Sequence, residues 1–270
     1  MTIFRRFLSI FKMFRLTKRR KFILSSLVLS FGLLGIQLGW VANRYLAIGI
    51  LSFVSIPLVF WSLKEALSVS VLIVSWILPF LFTAGIGLFY FLLPGSLLVG
   101  IPIILIYFFG MYALFLSENI FSVAAIRTIQ LFRSASAVGF LLTLFTSFLL
   151  FDTIWSFALP FYSNFGLVFL VSFLLFFTGT WSVNLKEKID SKIMIYSLTS
   201  SLGLGETAAL LSFWPATVSL ASLFLTMMIY VCLGLIQAEL SDRLFEKTVK
   251  EYLLVGFAVF VILLFYTSWG

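Results

Sequence analysis

The sequence MTIFRRFLSIFKMFRLTKRRK (residues 1–21) is a basic leader that runs directly into the apolar stretch FILSSLVLSFGLLGIQLGWV (residues 22–41). Eight of the 18 Lys and Arg residues lie in this leader: Arg5, Arg6, Lys12, Arg15, Lys18, Arg19, Arg20 and Lys21. Cytoplasmic flanks of membrane spans are enriched in Lys and Arg. We therefore expect a cytoplasmic N-terminus, which sets the direction of every later span.

The composition is that of an integral membrane protein. Hydrophobic residues make up 62% of the chain and charged residues 10%, against roughly half and a quarter in soluble proteins. The formal net charge of +8 equals the charge of the leader, which lies where anionic lipid headgroups would meet it. The composition thus favours headgroup contact over nucleic acid as the partner of the basic residues.

The leader also has an apolar stripe. Phe4, Phe7, Leu8, Phe11 and Phe14 recur at three- and four-residue spacing, with cations between them. This pattern predicts a short amphipathic helix in the membrane interface. A disordered basic tail is the alternative.

The apolar stretches predict an all-α polytopic transmembrane helix bundle of about nine spans in a single domain, 22–270. A helix needs about 20 residues to cross the hydrocarbon core. The predicted spans are residues 22–41, 45–63, 67–93, 96–116, 135–151, 165–181, 193–214, 218–238 and 252–269. With this count every Lys and Arg except Arg44 falls on the cytoplasmic side. We expect a multi-pass protein of the cell membrane with its C-terminus on the outer side.

Three segments between spans are predicted to lie at the interface. Ser117 to Ser134 and Glu239 to Glu251 read as short amphipathic helices on the cytoplasmic side. Arg127 and Arg133 belong to the first of these, and we expect them to contact lipid headgroups. Asp152 to Asn164 is rich in aromatic residues and predicts an interfacial loop on the outer side.

Gly32, Gly35 and Gly39 are spaced along the first predicted span. Gly35 and Gly39 have the GxxxG spacing, which lets another helix backbone approach closely. Packing within this chain is the favoured interpretation, and homodimerisation is the alternative.

Glu206 is the sharpest chemical signal, because it lies past the midplane of a predicted span. Carboxylates at such depth are costly unless they are paired, protonated or hydrated, and they often mark function. Polar and small residues surround it: Ser200, Ser201, Gly203, Gly205 and Thr207. The pattern predicts an ion or proton site. The alternative, which we favour, is a neutral Glu within a helix-packing face.

Catalytic chemistry has little support in the sequence. There is no His and one Cys, Cys232, and no catalytic motif or metal-ligand spacing is present. We expect no catalytic residues, no cofactor and no metal. Two hypotheses follow: a non-catalytic membrane component that packs with lipid, a membrane-protein partner or its own copies, and, as the alternative, a transporter of a lipophilic or small solute that uses Glu206.

Overall fold

The computed structural model describes residues 17–63, 69–94, 96–125, 130–185 and 190–267, and all regular secondary structure in these ranges is helical. The helices of these ranges are α1 (Lys18–Gln37), α2 (Arg44–Leu63), α3 (Val69–Val74), α4 (Ile77–Tyr90), α5 (Leu97–Ala124), α6 (Phe132–Ser156), α7 (Phe161–Asn184), α8 (Ser191–Leu211), α9 (Val218–Leu240) and α10 (Glu246–Tyr266). The predicted all-helical bundle is confirmed.

Seven helices in the described ranges are long and apolar enough to cross a membrane: α1, α2, α5, α6, α7, α9 and α10. Helix α4 is apolar but has only 14 residues. Helix α8 has 21 residues, and its Ser, Thr and Gly residues together with Glu206 lower its hydropathy. The molecule therefore has the helix dimensions of an integral membrane protein.

Helix α6 lies at the centre of the bundle and α10 at its edge. α6 packs against α4, α5, α7 and α9, and 61% of its most apolar window is buried. α10 packs against α9, and only 6% of its corresponding window is buried. The core around α6 is filled by large side chains, among them Phe82, Tyr107, Phe151 and Trp181.

The two ends of the bundle differ in charge. At the basic end, where Lys18 begins α1, the Arg19 Nε donates to the Tyr112 hydroxyl at 3.4 Å. The Lys21 Nζ lies 6.0 Å from the ring centroid of Trp61. Gln37, Arg44 and Tyr90 lie at the other end, which we call the far end. Neighbouring helices α1 and α5 are antiparallel, because Arg19 meets Tyr112 whereas Gln37 lies beside Gly100.

The predicted third span, 67–93, is interrupted. Val74 ends α3 and Ile77 begins α4, with a turn at Ser75 and Trp76. Pro79 explains the break, because proline has no N–H to donate to the carbonyl four residues earlier, which belongs to Ser75, and its ring crowds that carbonyl.

The segment Ser117 to Ser134 does not form one separate interfacial helix. Ser117 to Ala124 continue α5, and Phe132 begins α6. Ser117, Glu118 and Ser122 are buried, whereas Gln130 and Arg133 are exposed. The Ser122 hydroxyl donates to the Glu118 carbonyl at 2.7 Å. Because its own helix satisfies this hydroxyl, Ser122 can stay inside the bundle.

Two other predicted boundaries also move. Asp152 was expected to begin an outer loop, but α6 continues to Ser156 and Asp152 is buried. Within Glu239 to Glu251, α9 ends at Leu240 and α10 begins at Glu246, so a turn divides the predicted helix. The Phe residues of the predicted leader helix, Phe4 to Phe14, lie outside the described residues.

Gly39 ends α1 instead of packing along it. Its φ is +78°, and the Trp40 N–H donates to the Gly35 carbonyl at 3.1 Å. This is a Schellman arrangement, in which a left-handed residue follows the helix. Gly35 and Gly39 therefore do not share a helix, and the predicted GxxxG pair does not lie on one packing surface. Gly32 faces α2, where an added Cβ would lie 2.6 Å from the Leu51 Cδ1.

Candidate functional site

Most buried hydroxyl groups in the bundle are satisfied by their own helix. The Thr143 hydroxyl donates to the Gly139 carbonyl at 2.8 Å, and the Thr180 hydroxyl donates to the Phe176 carbonyl at 2.6 Å. Seven buried polar atoms of the described residues have no such partner: Ser26 Oγ, Ser30 Oγ, Gln37 Nε2, Ser75 Oγ, Glu118 Oε2, Asn164 Oδ1 and Trp181 Nε1. Such atoms are rare in native proteins and each needs a reason.

Glu206 lies on the outer surface of α8. Its side chain is exposed, as are Leu202 and Leu210 one turn on either side. Glu206 is five residues before the end of α8, which is about 8 Å along the axis. The two ion pairs that the described residues form, Lys247–Glu251 and Lys250–Glu246, do not involve it. The carboxylate thus faces out from an apolar helix surface.

The residues predicted to accompany Glu206 divide between two faces of α8. Ser201 and Gly205 are buried, and the Ser201 hydroxyl donates to the Leu198 carbonyl at 2.9 Å. Gly203 is exposed, and an added Cβ would meet no atom within 4 Å. The half-buried Thr207 donates to the Gly203 carbonyl at 2.7 Å, and Ser200 is also half-buried. The six residues do not converge on one cavity.

Helix α7 holds the buried face of α8. Four rings of α7 are stacked at successive turns, with centroids 6.1 to 6.4 Å apart: Phe165, Phe169, Phe173 and Phe177. A Cβ at Gly205 would lie 3.1 Å from the Phe165 ring. The Thr180 and Ser197 hydroxyls are 3.3 Å apart across the same interface. The opposite face of α8, which carries Gly203 and Glu206, has no such support.

Glu118 is an acidic residue whose burial was missed by sequence reasoning. Only 2% of its surface is exposed, and its Oε2 is one of the unpartnered atoms. It continues a buried stripe of α5 formed by Tyr107, Met111 and Leu114 at helical spacing. The helical spacing of these residues could have predicted that Glu118 is buried. The polar pair Ser117 and Glu118 instead interrupted the apolar run and suggested the end of a span. A second buried acid, Asp152, differs because the Ser222 hydroxyl donates to its Oδ1 at 3.1 Å.

Ser75 and Glu118 both lie on the basic side of one contact between α4 and α5. This contact is the Thr83–Tyr107 pair, whose hydroxyls are 2.9 Å apart. Ser75 is eight residues before Thr83 and Glu118 is eleven after Tyr107, which displaces them toward the basic end by about 12 Å and about 17 Å. Two unsatisfied polar groups therefore lie between this contact and the basic end, and Ser75 is at the break between α3 and α4.

A polar cavity opens at the far end of the bundle. It is lined by Gln37, Arg44, Tyr45, Tyr90, Phe91 and Leu93. A second, more apolar cavity shares Gln37 and Tyr90 with the first and continues along α1 and α5, where Leu34, Leu38, Ile101 and Ile104 line it. Sequence reasoning did not find these cavities, because their residues come from three helices distant in sequence.

The basic residues predicted to contact headgroups are partly described. Arg5, Arg6, Lys12, Arg15 and Arg127 lie outside the described residues. Lys18, Arg19, Arg20 and Lys21 form the first turn of α1, and Arg133 is exposed near the start of α6. Headgroup contact by these residues stays a prediction.

Residues 46–266 match the family described as protein of unknown function DUF5656. The chain belongs to the DUF5656 family. The matched segment extends from the first turn of α2 to the end of α10 and includes both Glu118 and Glu206. No curated protein and no solved structure matches the chain. Membership of this family therefore relates the chain to similar sequences but assigns it no activity.

Proposed function

We propose that this DUF5656 protein is a non-catalytic membrane component that binds a helix of a partner membrane protein along the exposed face of α8. The observation that carries the proposal is the position of Glu206, which projects from an apolar helix surface without a partner in the described chain. An ionisable residue within a membrane span is costly unless it finds a counter-charge or a polar partner. A docked helix supplies that partner.

A nine-span topology supports this placement. The seven long apolar helices, together with α8 and with α3 and α4 as one broken crossing, give nine crossings of a cell membrane. The basic end would then face the cytoplasm, and this count would assign every Lys and Arg except Arg44 to that side. In this arrangement Glu206 faces the lipid of the outer half of the bilayer.

The shape of the α8 surface fits a helix. Thr199, Gly203 and Thr207 are spaced four residues apart beside Glu206, and Gly203 is open to its surroundings. Small residues at this spacing let helix backbones approach closely in membranes. Because the Glu206 carboxylate is negative, we expect the partner helix to carry a Lys or Arg at the same depth in the membrane. A second copy in parallel would instead bring two carboxylates together.

The alternative function is a transporter that binds a proton or cation at Glu206. Such a carrier needs the carboxylate beside a cavity, whereas the two far-end cavities are lined by other residues. The exposure of Glu206 favours docking over transport. Unchanged solute flux with Glu206→Gln in reconstituted vesicles would remove the transport alternative.

Site-specific photo-crosslinking in native membranes tests the docking proposal. A photoreactive side chain at Leu202 or Leu210 should form a discrete adduct with one membrane protein, and the matched probe at Leu254 on the exposed side of α10 should not. Glu206→Lys should abolish the adduct, and a Lys→Glu or Arg→Glu change in the crosslinked partner helix should restore it. Adducts with lipid alone, or with a second copy, would contradict the proposal.

A further inference from the structure

We infer that the far end of the bundle holds one anionic phospholipid, with its phosphate at Arg44, Gln37 and the two tyrosines and an acyl chain in the groove between α1 and α5. The inference concerns a surface remote from α8 and does not rest on the proposed docking of a partner helix. It is carried by the two connected cavities and by the chemistry of their linings.

The polar cavity presents hydrogen-bond donors from three helices. Arg44 begins α2, Tyr90 ends α4 and Gln37 ends α1, and Tyr45 follows Arg44. The guanidinium, the amide NH₂ and the phenolic hydroxyls all donate hydrogen bonds. The described lining contains no carboxylate. This set of groups suits an anion, and a guanidinium is especially suited to phosphate because it can bind two oxygens at once.

The donors of this cavity are unused within the described chain. The Gln37 Nε2 is buried and has no hydrogen-bond partner. Arg44 belongs to neither of the ion pairs formed by the described residues. A buried donor without a partner is unfavourable, and rotation of the Gln37 amide toward the polar cavity would let a phosphate oxygen satisfy it.

The frame of the cavity is held by packing. The Tyr45 ring meets the Phe91 ring edge-on, with centroids 5.6 Å apart, and lies 6.3 Å from the Phe157 ring. Gly100 lines the adjoining apolar cavity, where an added Cβ would lie 3.3 Å from the Gln37 Oε1 and 3.8 Å from the Tyr90 hydroxyl. The absence of a side chain at Gly100 therefore leaves room beside Gln37 and Tyr90.

The apolar cavity indicates that the phosphate belongs to a lipid. Leu34, Leu38, Ile101 and Ile104 line it, and Gln37 and Tyr90 border both cavities. Leu38 and Ile101 are exposed on the outer surface of the bundle, so the groove opens toward the surrounding membrane. A polar head next to an apolar groove matches an amphiphile, whereas free phosphate would leave the groove empty.

Native mass spectrometry of the full chain in a mild detergent tests the inference. The protein is incubated with phosphatidylglycerol, with phosphatidylcholine of the same acyl chains, or with inorganic phosphate. We expect one phosphatidylglycerol per chain, retained roughly tenfold more tightly than phosphatidylcholine. Both lipids have an anionic phosphodiester, but phosphatidylcholine adds a quaternary ammonium cation, which Arg44 repels and for which the described lining has no carboxylate. Arg44→Gln should remove most of this preference.

Two further variants separate the site from general attraction to basic residues. Lys192→Gln removes the same charge at an exposed position in the first turn of α8 and should leave the retention of phosphatidylglycerol unchanged. Gly100→Leu should fill the apolar cavity and prevent retention, whereas Gly166→Leu, at an open and exposed position of α7, should not. If Gly100→Leu fails to fold, the comparison of Arg44→Gln with Lys192→Gln still decides.

Three outcomes would overturn the inference. Equal retention of both lipids would show that the site does not prefer an anionic headgroup. Equal loss in Arg44→Gln and Lys192→Gln would assign the binding to net charge. Stabilisation by inorganic phosphate as large as that by phosphatidylglycerol would show a free phosphate site and remove the lipid.

Discussion

The hydroxyl of Tyr107 in α5 lies 2.9 Å from the hydroxyl of Thr83 in α4, and both side chains are buried in the centre of the bundle. The Thr83 hydroxyl also donates to the Pro79 carbonyl at 2.8 Å. The Thr83 hydroxyl has one proton, which it donates to the Pro79 carbonyl. The Tyr107 hydroxyl therefore donates to the Thr83 hydroxyl oxygen. One pair of side chains thus links α4 to α5.

This chain of hydrogen bonds predicts an asymmetry between two conservative substitutions. Tyr107→Phe removes a donor and leaves Thr83 bonded to Pro79, so it should cost about 1 kcal/mol of unfolding free energy. Thr83→Val strands the Tyr107 hydroxyl in an apolar core and should cost about 1–3 kcal/mol. Thermal unfolding in one detergent compares them. A milder effect for Thr83→Val would contradict the assigned direction of the bonds.

The unpartnered acid in α5 predicts a gain of stability. Replacing Glu118 with Met keeps a long side chain and removes the buried carboxyl whose Oε2 has no partner. Because replacing a buried polar group with an apolar one of similar shape is neutral or favourable, we expect an increase of about 1 kcal/mol. Reversible unfolding of the purified protein measures it.

Asp152 supplies the matched control for Glu118. Asp152→Leu removes a charged acceptor 3.1 Å from the Ser222 Oγ, which can then donate only to its own helix, at 3.0 Å to the Val218 carbonyl. The loss of stability should be at most about 1 kcal/mol. A loss of stability in Glu118→Met as large as that in Asp152→Leu would show that the carboxyl of Glu118 is satisfied in the folded protein.

The two faces of α8 predict opposite effects at glycines two residues apart. Gly203→Ala adds a methyl group to open space and should stabilise the helix by about 0.5–1 kcal/mol. Gly205→Ala brings a Cβ to 3.1 Å from the Phe165 ring and 3.2 Å from the Phe169 Cβ, so it should destabilise the α7–α8 interface. Melting temperatures of the two variants give the order, and the reverse order would place Glu206 on the packed side.

The end of α1 predicts a cost at Gly39. Gly39→Ala forces an L-residue to a φ of +78°, which costs about 1 kcal/mol. Gly49→Ala is the control, because Gly49 lies inside α2 and an added Cβ meets nothing within 4 Å. We expect Gly49→Ala to be neutral or stabilising. A tolerated Ala at position 39 would mean that α1 continues past Gln37.

The lengths of the apolar runs in the sequence predicted the helical bundle well, because the length and hydrophobicity of a segment decide whether it can cross a membrane. The same two properties failed at Ser117 and Glu118, since their burial depends on contacts across the chain such as the stacked rings of Phe22 and Phe115, 6.3 Å apart. They also failed at Gly39, because a spacing of four residues cannot distinguish a packing glycine from one that ends a helix.

The sequence singled out Glu206 but not its surroundings. Span position alone showed that the carboxylate was unusual, whereas the division of α8 into a face against Phe165 and an open face at Gly203 required the structure. The far-end cavities could not be found from the sequence, because Gln37, Arg44 and Tyr90 meet only after α1, α2 and α4 have packed.

The small buried fraction of α10 has a consequence for the order in which the protein folds during synthesis. Only 6% of its most apolar window is buried, and its support is α9. All contacts among α1 to α9 are therefore available to the nascent chain before α10 has been synthesised. The one buried side chain within α10 is Leu263, so most of the interior can assemble before this helix leaves the ribosome.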